Sequence, residues 1–349
     1  MKTDLYFAIP GDINTMTGGY AYARRLITEL SELGLLVKHL ALSGTYPTPD
    51  NIALGYADKH FAAFPDGAIV LADGLAFGVL DAIAQLHSDR LKIIALCHHP
   101  LALETGLSNA HAQELHHSEQ RALAAAVAVL VNSSNTAGIL TKQFAVKPEK
   151  IVVALPGTDS QVFAECNGNP PVLLTVATLT HRKAHDVLIT ALAQITDLPW
   201  VARFVGSKES DPNWTIHLIS KTVEHRLENR INFMGTVAEL SAEYSKADLF
   251  VLPSLFEGYG MVFAEALAYG LPIVAARSGA VPDVVPDTAG ILVTPNNADE
   301  LATALRLLLT QPALRGKLQR GARRAASHLP TWKNTAMIVA NLVSEVKKR

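Results

Sequence analysis

Residues 251–276 read VLPSLFEGYGMVFAEALAYGLPIVAA, and this pattern leaves few choices of fold. The run that leads into it, 247–253, is apolar on both faces, as a parallel strand inside an α/β layer is. Pro253 and Ser254 end that strand. The loop FEGYG follows with one acid and two glycines, and a helix then runs through Met261, Glu265, Ala268 and Tyr269. Gly270 stands where a left-handed helix end belongs, and Pro272 follows it. LPIVAA resumes the sheet. The whole is a strand–helix–strand unit whose loop lies at the carboxyl end of a strand, the side on which open α/β sheets bind ligands.

The chemistry of the stretch follows from that placement. Gly258 and Gly260 let the backbone approach a ligand with no Cβ in the way. The amides of Gly260, Met261 and Val262 begin the helix without intrahelical acceptors, so they offer a site for phosphate or another anion. Glu257 precedes the helix and can reach a polar group in the loop. Glu265 lies four residues after Met261 on the same helix face, where an acid suits a pair of vicinal hydroxyls such as a ribose diol.

The rest of the chain repeats this grammar. Strands are predicted at 5–10, 37–43, 68–73, 91–100, 126–134 and 151–159, with helices at 20–33, from 74 to about 87, 109–126 and 134–144; residues 44–66 read as an irregular surface excursion. The segment ECNGNPP, 165–171, reads as a linker. Strand–helix alternation then restarts and continues to a helix at 299–310. At 349 residues two domains are expected. The boundaries are 1–164 for an N-terminal Rossmann-like domain, 165–329 for a C-terminal one, and 330–349 for a helical tail anchored by Trp332.

Composition narrows the function classes. A formal charge of −2 gives no reason to expect nucleic acid as a partner. Two cysteines, Cys97 and Cys166, exclude a disulfide framework and fit a reducing cytoplasm. The first residues, MKTDLYFAIPGD, read as a strand and not as a signal peptide. The longest apolar run, 122–131, is too short to span a bilayer, which leaves room for a peripheral contact at the inner membrane face.

PSLFEGYGMVFAEALAYGLPIVA resembles the donor-site signature of family 4 retaining glycosyltransferases, which have the GT-B fold. Their two glutamates with seven residues between them are matched by Glu257 and Glu265. TLTHRKAHDVLITAL resembles the same family's phosphate-clamp segment, with Arg182 and Lys183 as its Arg-Lys pair. NFMGTV, SKADLFVLPS and AGILVTP are also similar, as are Gly18-Gly19 after the first strand, the histidine ending the fourth, and VNSSNTAGIL. The family's usual Gly-Arg after the first strand of the second domain is here Ala177-Thr178, so Arg182 supplies the arginine. The histidine position reads His98-His99, and the strand's alternation does not decide between them.

The resemblance implies an α/β GT-B fold: two Rossmann-like domains facing across a cleft, the N-terminal one on the acceptor side and the C-terminal one binding the nucleotide-sugar, with the C-terminal helix crossing back to the first. It implies a retaining transferase that moves a hexose-type sugar from a UDP-, GDP- or ADP-sugar to an acceptor hydroxyl on a glycan, a lipid-linked compound or a small molecule. Glu265 then holds the ribose and Glu257 the sugar hydroxyls. Arg182, Lys183 and the amides of Gly260, Met261 and Val262 hold the diphosphate, and His98 or His99 lies beside the sugar. Gly18 and Gly19 are expected to approach the ligand closely. Fixed cations stabilise the charge that develops as a nucleoside diphosphate departs. The sequence has no Asp-x-Asp pair, so no metal and no cofactor is expected. His111, His116 and His117, on a helix with Glu114 and Glu119, read as a polar face and not as a metal cluster. Arg24 and Arg25 read as a solvated face. An epimerase, a hydrolase or a non-catalytic sugar-nucleotide binder on the same fold are the alternatives.

Overall fold

The computed structural model describes residues 3–348. It divides into two compact units, one formed by residues 1–157 with 330–349 and the other by residues 158–329.

The first unit runs β1 (Leu5–Pro10), α1 (Gly18–Glu32), β2 (Val37–Leu42), α2 (Asn51–Ala63), β3 (Ile69–Asp73), α3 (Gly74–Phe77), α4 (Asp81–His87), β4 (Lys92–Cys97), α5 (Asn109–Ala125), β5 (Ala128–Val131), α6 (Ser134–Gln143) and β6 (Ile151–Val153). Its six strands are parallel in the order β2-β1-β3-β4-β5-β6. The order reverses direction between β1 and β3, so that is where the loops diverge and leave a crevice. The central strands β3, β4 and β5 are buried almost throughout, which accounts for their unbroken apolar runs.

The second unit runs β7 (Val172–Val176), α7 (His185–Ala193), β8 (Val201–Val205), α8 (Pro212–Glu224), β9 (Ile231–Gly235), α9 (Leu240–Ser245), β10 (Leu249–Leu252), α10 (Met261–Ala268), β11 (Ile273–Ala276), α11 (Val281–Val284), β12 (Gly290–Val293), α12 (Ala298–Thr310) and α13 (Pro312–Ala326). Its sheet is also parallel, in the order β12-β11-β10-β7-β8-β9, and reverses between β10 and β7. A core built on Leu188, Leu192, Trp200, Phe204, Leu249 and Leu305 joins the sheet to its helices.

The closing helix α14 (Trp332–Lys348) belongs to the first unit. Trp332, Ala336, Val339, Leu342, Val343 and Val346 form one buried stripe at helical spacing. Thr335 Oγ1 donates to Leu155 O at 2.7 Å, and Lys92 Nζ donates to Val346 O at 3.0 Å. Trp332 meets Tyr22 edge-on at 5.8 Å and carries the Arg25 guanidinium over its ring at 5.4 Å.

Two expectations are corrected, and one stretch is filled in. Residues 44–66 are not irregular throughout, because 51–63 form α2, capped by the Asp50 side chain. Only Ala53, Ala57 and Phe61 of α2 are buried, a stripe too narrow to stand out among prolines. Segment 165–171 is not a free linker. The Asp248 carboxylate accepts from Gly168 N at 2.9 Å and Val172 N at 2.7 Å, and Ala164 N donates to Tyr269 O, so residues 158–171 go with the second unit. Residues 311–329, left without an element above, hold α13.

α13 also offers a paired test of packing. A Cβ on Gly321 would stand 1.7 Å from Thr288 O, whereas one on Gly316 would meet only Arg320 Nη1, at 3.6 Å. Gly321→Ala is expected to cost about 1–3 kcal/mol or more by overpacking. Gly316→Ala is expected to add about 0.5–1 kcal/mol through helix propensity. Denaturant unfolding reads both, and equal effects would show that α13 does not seat on residue 288.

Candidate functional site

In the second unit, β7 and β10 are neighbours at the point of reversal, and the loops leaving them are stitched together. After β7 the chain makes a 3₁₀ turn, His181–Lys183, and enters α7 through Ala184 at φ +51°. Leu255 N, beyond β10, donates to Arg182 O at 2.8 Å. Arg182 Nη1 donates to Phe256 O at 2.9 Å. These bonds bring two cations onto one carboxylate. Lys183 Nζ donates to Glu257 Oε1 at 2.7 Å, and Arg182 Nη1 lies 3.6 Å from Glu257 Oε2.

Glu257 is only 5% exposed. Burial by itself would raise its pKa, but Lys183 and then Arg182 outweigh that and hold the carboxyl below its usual range. Its backbone is fixed as well: Ala280 N donates to Glu257 O, and Gly279, at φ +51°, passes so close that a Cβ would lie 2.2 Å from that oxygen. His185, beside Lys183, is buried with its ring 5.3 Å from Phe204. Burial first, and Lys183 second, push its pKa down to about 3. It is therefore neutral around pH 7 and adds no competing charge.

α10 starts at Met261 behind Gly260, which sits at φ +86° and provides no side-chain cap, so the first amides of the helix have no side-chain acceptor there. One turn on, Glu265 is half-buried and accepts from Tyr244 Oη at 2.8 Å. Burial raises the Glu265 pKa against the opposing pull of that bond. Tyr244 is itself stacked on Tyr269 at 5.0 Å and 10°, so one Glu265 oxygen is held in place by a packed phenol.

In the first unit the two histidines part. His98 is surrounded. Asn132 Nδ2 lies 3.3 Å from its Nδ1, Asp73 Oδ2 lies 3.6 Å from its Nε2, and Tyr22 packs edge-on at 5.2 Å. Gly19 touches it too, since a Cβ there would be 3.7 Å from His98 Cδ2. His99 turns to Glu104, at 4.0 Å. The structure thus brings Gly19 to His98, at the start of α1 after Gly18, and brings Arg182 and Lys183 to Glu257. Arg25 pairs with Glu29 at 3.2 Å, and Arg24 donates to the carbonyls of Ile13 and Thr15.

His111 lies 3.5 Å from Glu114, and His116 stacks on Phe144 at 4.4 Å. Among the described residues no group of three His, Cys, Asp or Glu side chains could hold a metal ion. Glu119 departs from the expected polar face. It is buried on α5 and accepts from Leu101 N at 2.9 Å, so it ties down the segment that follows the histidines. Burial drives its pKa up to about 8, against the lowering effect of the Leu101 and Ala102 amides.

A carboxyl with a raised folded pKa contributes most below its unfolded value and loses that contribution as pH climbs through the folded one. Glu119→Gln is therefore expected to flatten the fall in Tm between about pH 5 and pH 8 and to melt higher than wild type at pH 8. The scale is roughly 2–4 °C per kcal/mol. Parallel pH profiles would contradict it.

Tyr244, Gly279, Asp73 and Asn132 were not singled out from sequence. Asp73 and Asn132 do stand at strand ends before a helix, the same signal that marked Glu257. Tyr244 carries no local sign.

The family model described as "Glycosyl transferases group 1" matches residues 159–325. A D-inositol 3-phosphate glycosyltransferase of Stackebrandtia nassauensis is 30% identical over 242 residues, covering 62% of this chain and 54% of the relative. An MMP alpha-(1->4)-mannosyltransferase of Mycolicibacterium hassiacum is 31% identical over 210 residues, 59% of this chain and 51% of the relative. The chain spans about half the length of these curated relatives. Among solved structures, a sucrose-phosphate synthase from Thermosynechococcus elongatus superposes with a TM-score of 0.84 at 21% identity, over 99% of both chains. Anabaena HepE in complex with UDP and glucose superposes at 0.79 and 19%, over 98% of this chain and 100% of that one. At these identities the likeness shows the fold, which is GT-B. No helix among the described residues is long and apolar enough to cross a membrane.

Proposed function

We propose, from the match of residues 159–325 to the family model described as glycosyl transferases group 1, a retaining glycosyltransferase that moves a hexose-type sugar from a nucleoside diphosphate sugar to an acceptor hydroxyl. One observation carries the reading: two neighbouring strand-end loops converge Lys183 and Arg182 on the buried Glu257, just before the uncapped start of α10. A carboxylate flanked by two cations can accept from sugar hydroxyls while the cations receive the adjoining diphosphate.

In the proposed reaction the bond from the anomeric carbon to the phosphate oxygen breaks, and its electron pair leaves with the diphosphate. Lys183, Arg182 and the Met261 and Val262 amides stabilise that charge. The acceptor oxygen bonds to the same face of the anomeric carbon, and its proton passes to the departing phosphate oxygen. Glu265, fixed by Tyr244, holds the ribose diol. The diphosphate clamp is made of side-chain cations and amides, so the reaction is metal-independent in this reading. Two free cysteines fit a cytoplasmic setting.

The test is transfer from UDP-, GDP- and ADP-sugars with and without chelator, with product configuration read by NMR. Retention and full activity in chelator are expected. Inversion overturns the retaining mechanism, and activity lost to chelator but restored by Mg²⁺ or Mn²⁺ overturns the metal-free clamp. An epimer or free sugar as the only product would make the protein an epimerase or hydrolase.

A further inference from the structure

Helix α13, PALRGKLQRGARRAA, holds Arg315, Lys317, Arg320, Arg323 and Arg324 and no acid. Leu318, Gly321 and Ala322 are its buried side. Lys317, Arg320 and Arg324 are exposed on another face, at the three- and four-residue spacing of neighbours on a helix. None of these three is ion-paired among the described residues. The acids on the elements around α13 are engaged elsewhere. Glu265 of α10 accepts from Tyr244. Asp299 and Glu300 of α12 accept from Gln194 and from Thr294 N. Asp248 takes the Gly168 and Val172 amides, Glu165 takes Asn167 Nδ2, and Asp287 lies 3.8 Å from Arg277.

Beside this stripe stands an apolar pair that packing leaves uncovered. Val162 is 86% exposed and Phe163 42%. Both are held in place through Ala164, whose N donates to Tyr269 O and whose O accepts from Arg323 Nη2 at 3.2 Å. The Arg323 guanidinium also lies 5.1 Å from the Phe163 ring. Phe163 and Arg323 pack at Gly270, just before β11, and Gly321 packs on Thr288, just before β12. Both points mark the amino ends of parallel strands. Glu257 and Arg182 follow β10 and β7, at the carboxyl ends. The face therefore lies at the opposite end of the sheet from the clamp.

We infer that Lys317, Arg320 and Arg324, with Val162 and Phe163, form a docking face for an anionic lipid surface. The cations meet headgroup phosphates and the apolar pair enters the acyl boundary beneath them. Cations alone would suit any polyanion. Val162, the more exposed of the pair, offers no ring for a base to stack on, and Arg323 already covers one face of Phe163. The chain's formal charge of −2 gives no general attraction to nucleic acid. The face shares no residue with the clamp, so the inference does not rest on the transferase reading.

Flotation of the full chain tests this, with phosphatidylcholine vesicles and with vesicles that also carry phosphatidylglycerol. Binding is expected only to the second, and is expected to weaken with salt. Lys317→Gln, Arg320→Gln and Arg324→Gln combined should lower that affinity about 10²-fold, at about 5-fold per cation. These side chains are exposed, so Tm should hold. Lys183→Ala should float as wild type does. Equal binding to both vesicles, binding to neither, or wild-type binding by the triple variant overturns the inference.

Phe163→Trp reads the apolar half. Its emission is expected to be quenched by brominated acyl chains in anionic vesicles beyond the quenching of wild type. Equal quenching in the two proteins overturns insertion of the pair. Two outcomes would reassign the face. Binding to heparin without binding to vesicles would make it a polyanion site. A dimer abolished by the triple variant, again without vesicle binding, would make it an interface between copies. Either result overturns the lipid assignment.

Discussion

Replacing Lys183 by alanine is expected to lower transfer at saturating donor by about 10²–10³-fold, the scale of removing one preorganised charge stabiliser. Three features make the effect large. The ammonium is mostly buried, at 13% side-chain exposure, so its field is weakly screened. It is aimed by its 2.7 Å bond to Glu257 and by a turn whose backbone is pinned to the loop after β10. The neighbouring buried ring of His185 is neutral around pH 7. Arg182 is at 3.6 Å from the same carboxylate and cannot take over the position. Single-turnover kinetics isolate the chemical step, and an unchanged rate would remove Lys183 from the clamp.

Glu257→Gln is expected to act in two opposite directions. Loss of the carboxylate removes a strong acceptor for sugar hydroxyls, so kcat/KM for transfer should fall by roughly 10²-fold. The same change removes the negative charge beside Lys183 and Arg182, so a nucleoside diphosphate without sugar should bind at least as tightly as to wild type. Lys183→Ala weakens both. Calorimetry with diphosphate beside steady-state kinetics separates the two variants, and parallel losses in Glu257→Gln would contradict a sugar-side role.

Breaking the buried pair should also cost about 3–5 kcal/mol of stability in the unliganded protein. Glu257 has a lowered folded pKa, so its contribution is present above the unfolded carboxyl value and is lost as pH falls through the folded one. The gap in Tm between wild type and variant should therefore close in acid.

The second unit was largely legible in the sequence because its strands are buried on both faces and its loops are short. Apolar runs gave the sheet, and the loop 254–260 with Arg182 and Lys183 marked the candidate site. Legibility failed where the deciding contact joins distant residues. Glu119 lies in a polar sequence, AHAQELHHSEQR, and it is buried where α5 meets Cys97 and the turn at Leu101. That His98 and not His99 meets Asp73 and Asn132 depends on residues 25 and 34 positions from it in sequence. Segment 165–171 has the composition of a linker, yet Asp248, a strand-start acid in SKADLFVLP, binds it through two backbone amides. Composition reports local preference, and these three outcomes depend on partners brought in by the sheet.

The most direct measurement is a crystal structure of the protein with a nucleoside diphosphate sugar bound. The account predicts diphosphate oxygens within hydrogen-bonding distance of Lys183 Nζ, Arg182 and the Met261 and Val262 amides, sugar hydroxyls on Glu257 and the ribose diol on Glu265. A diphosphate seated elsewhere, with the Lys183–Glu257 pair intact and untouched, would contradict it.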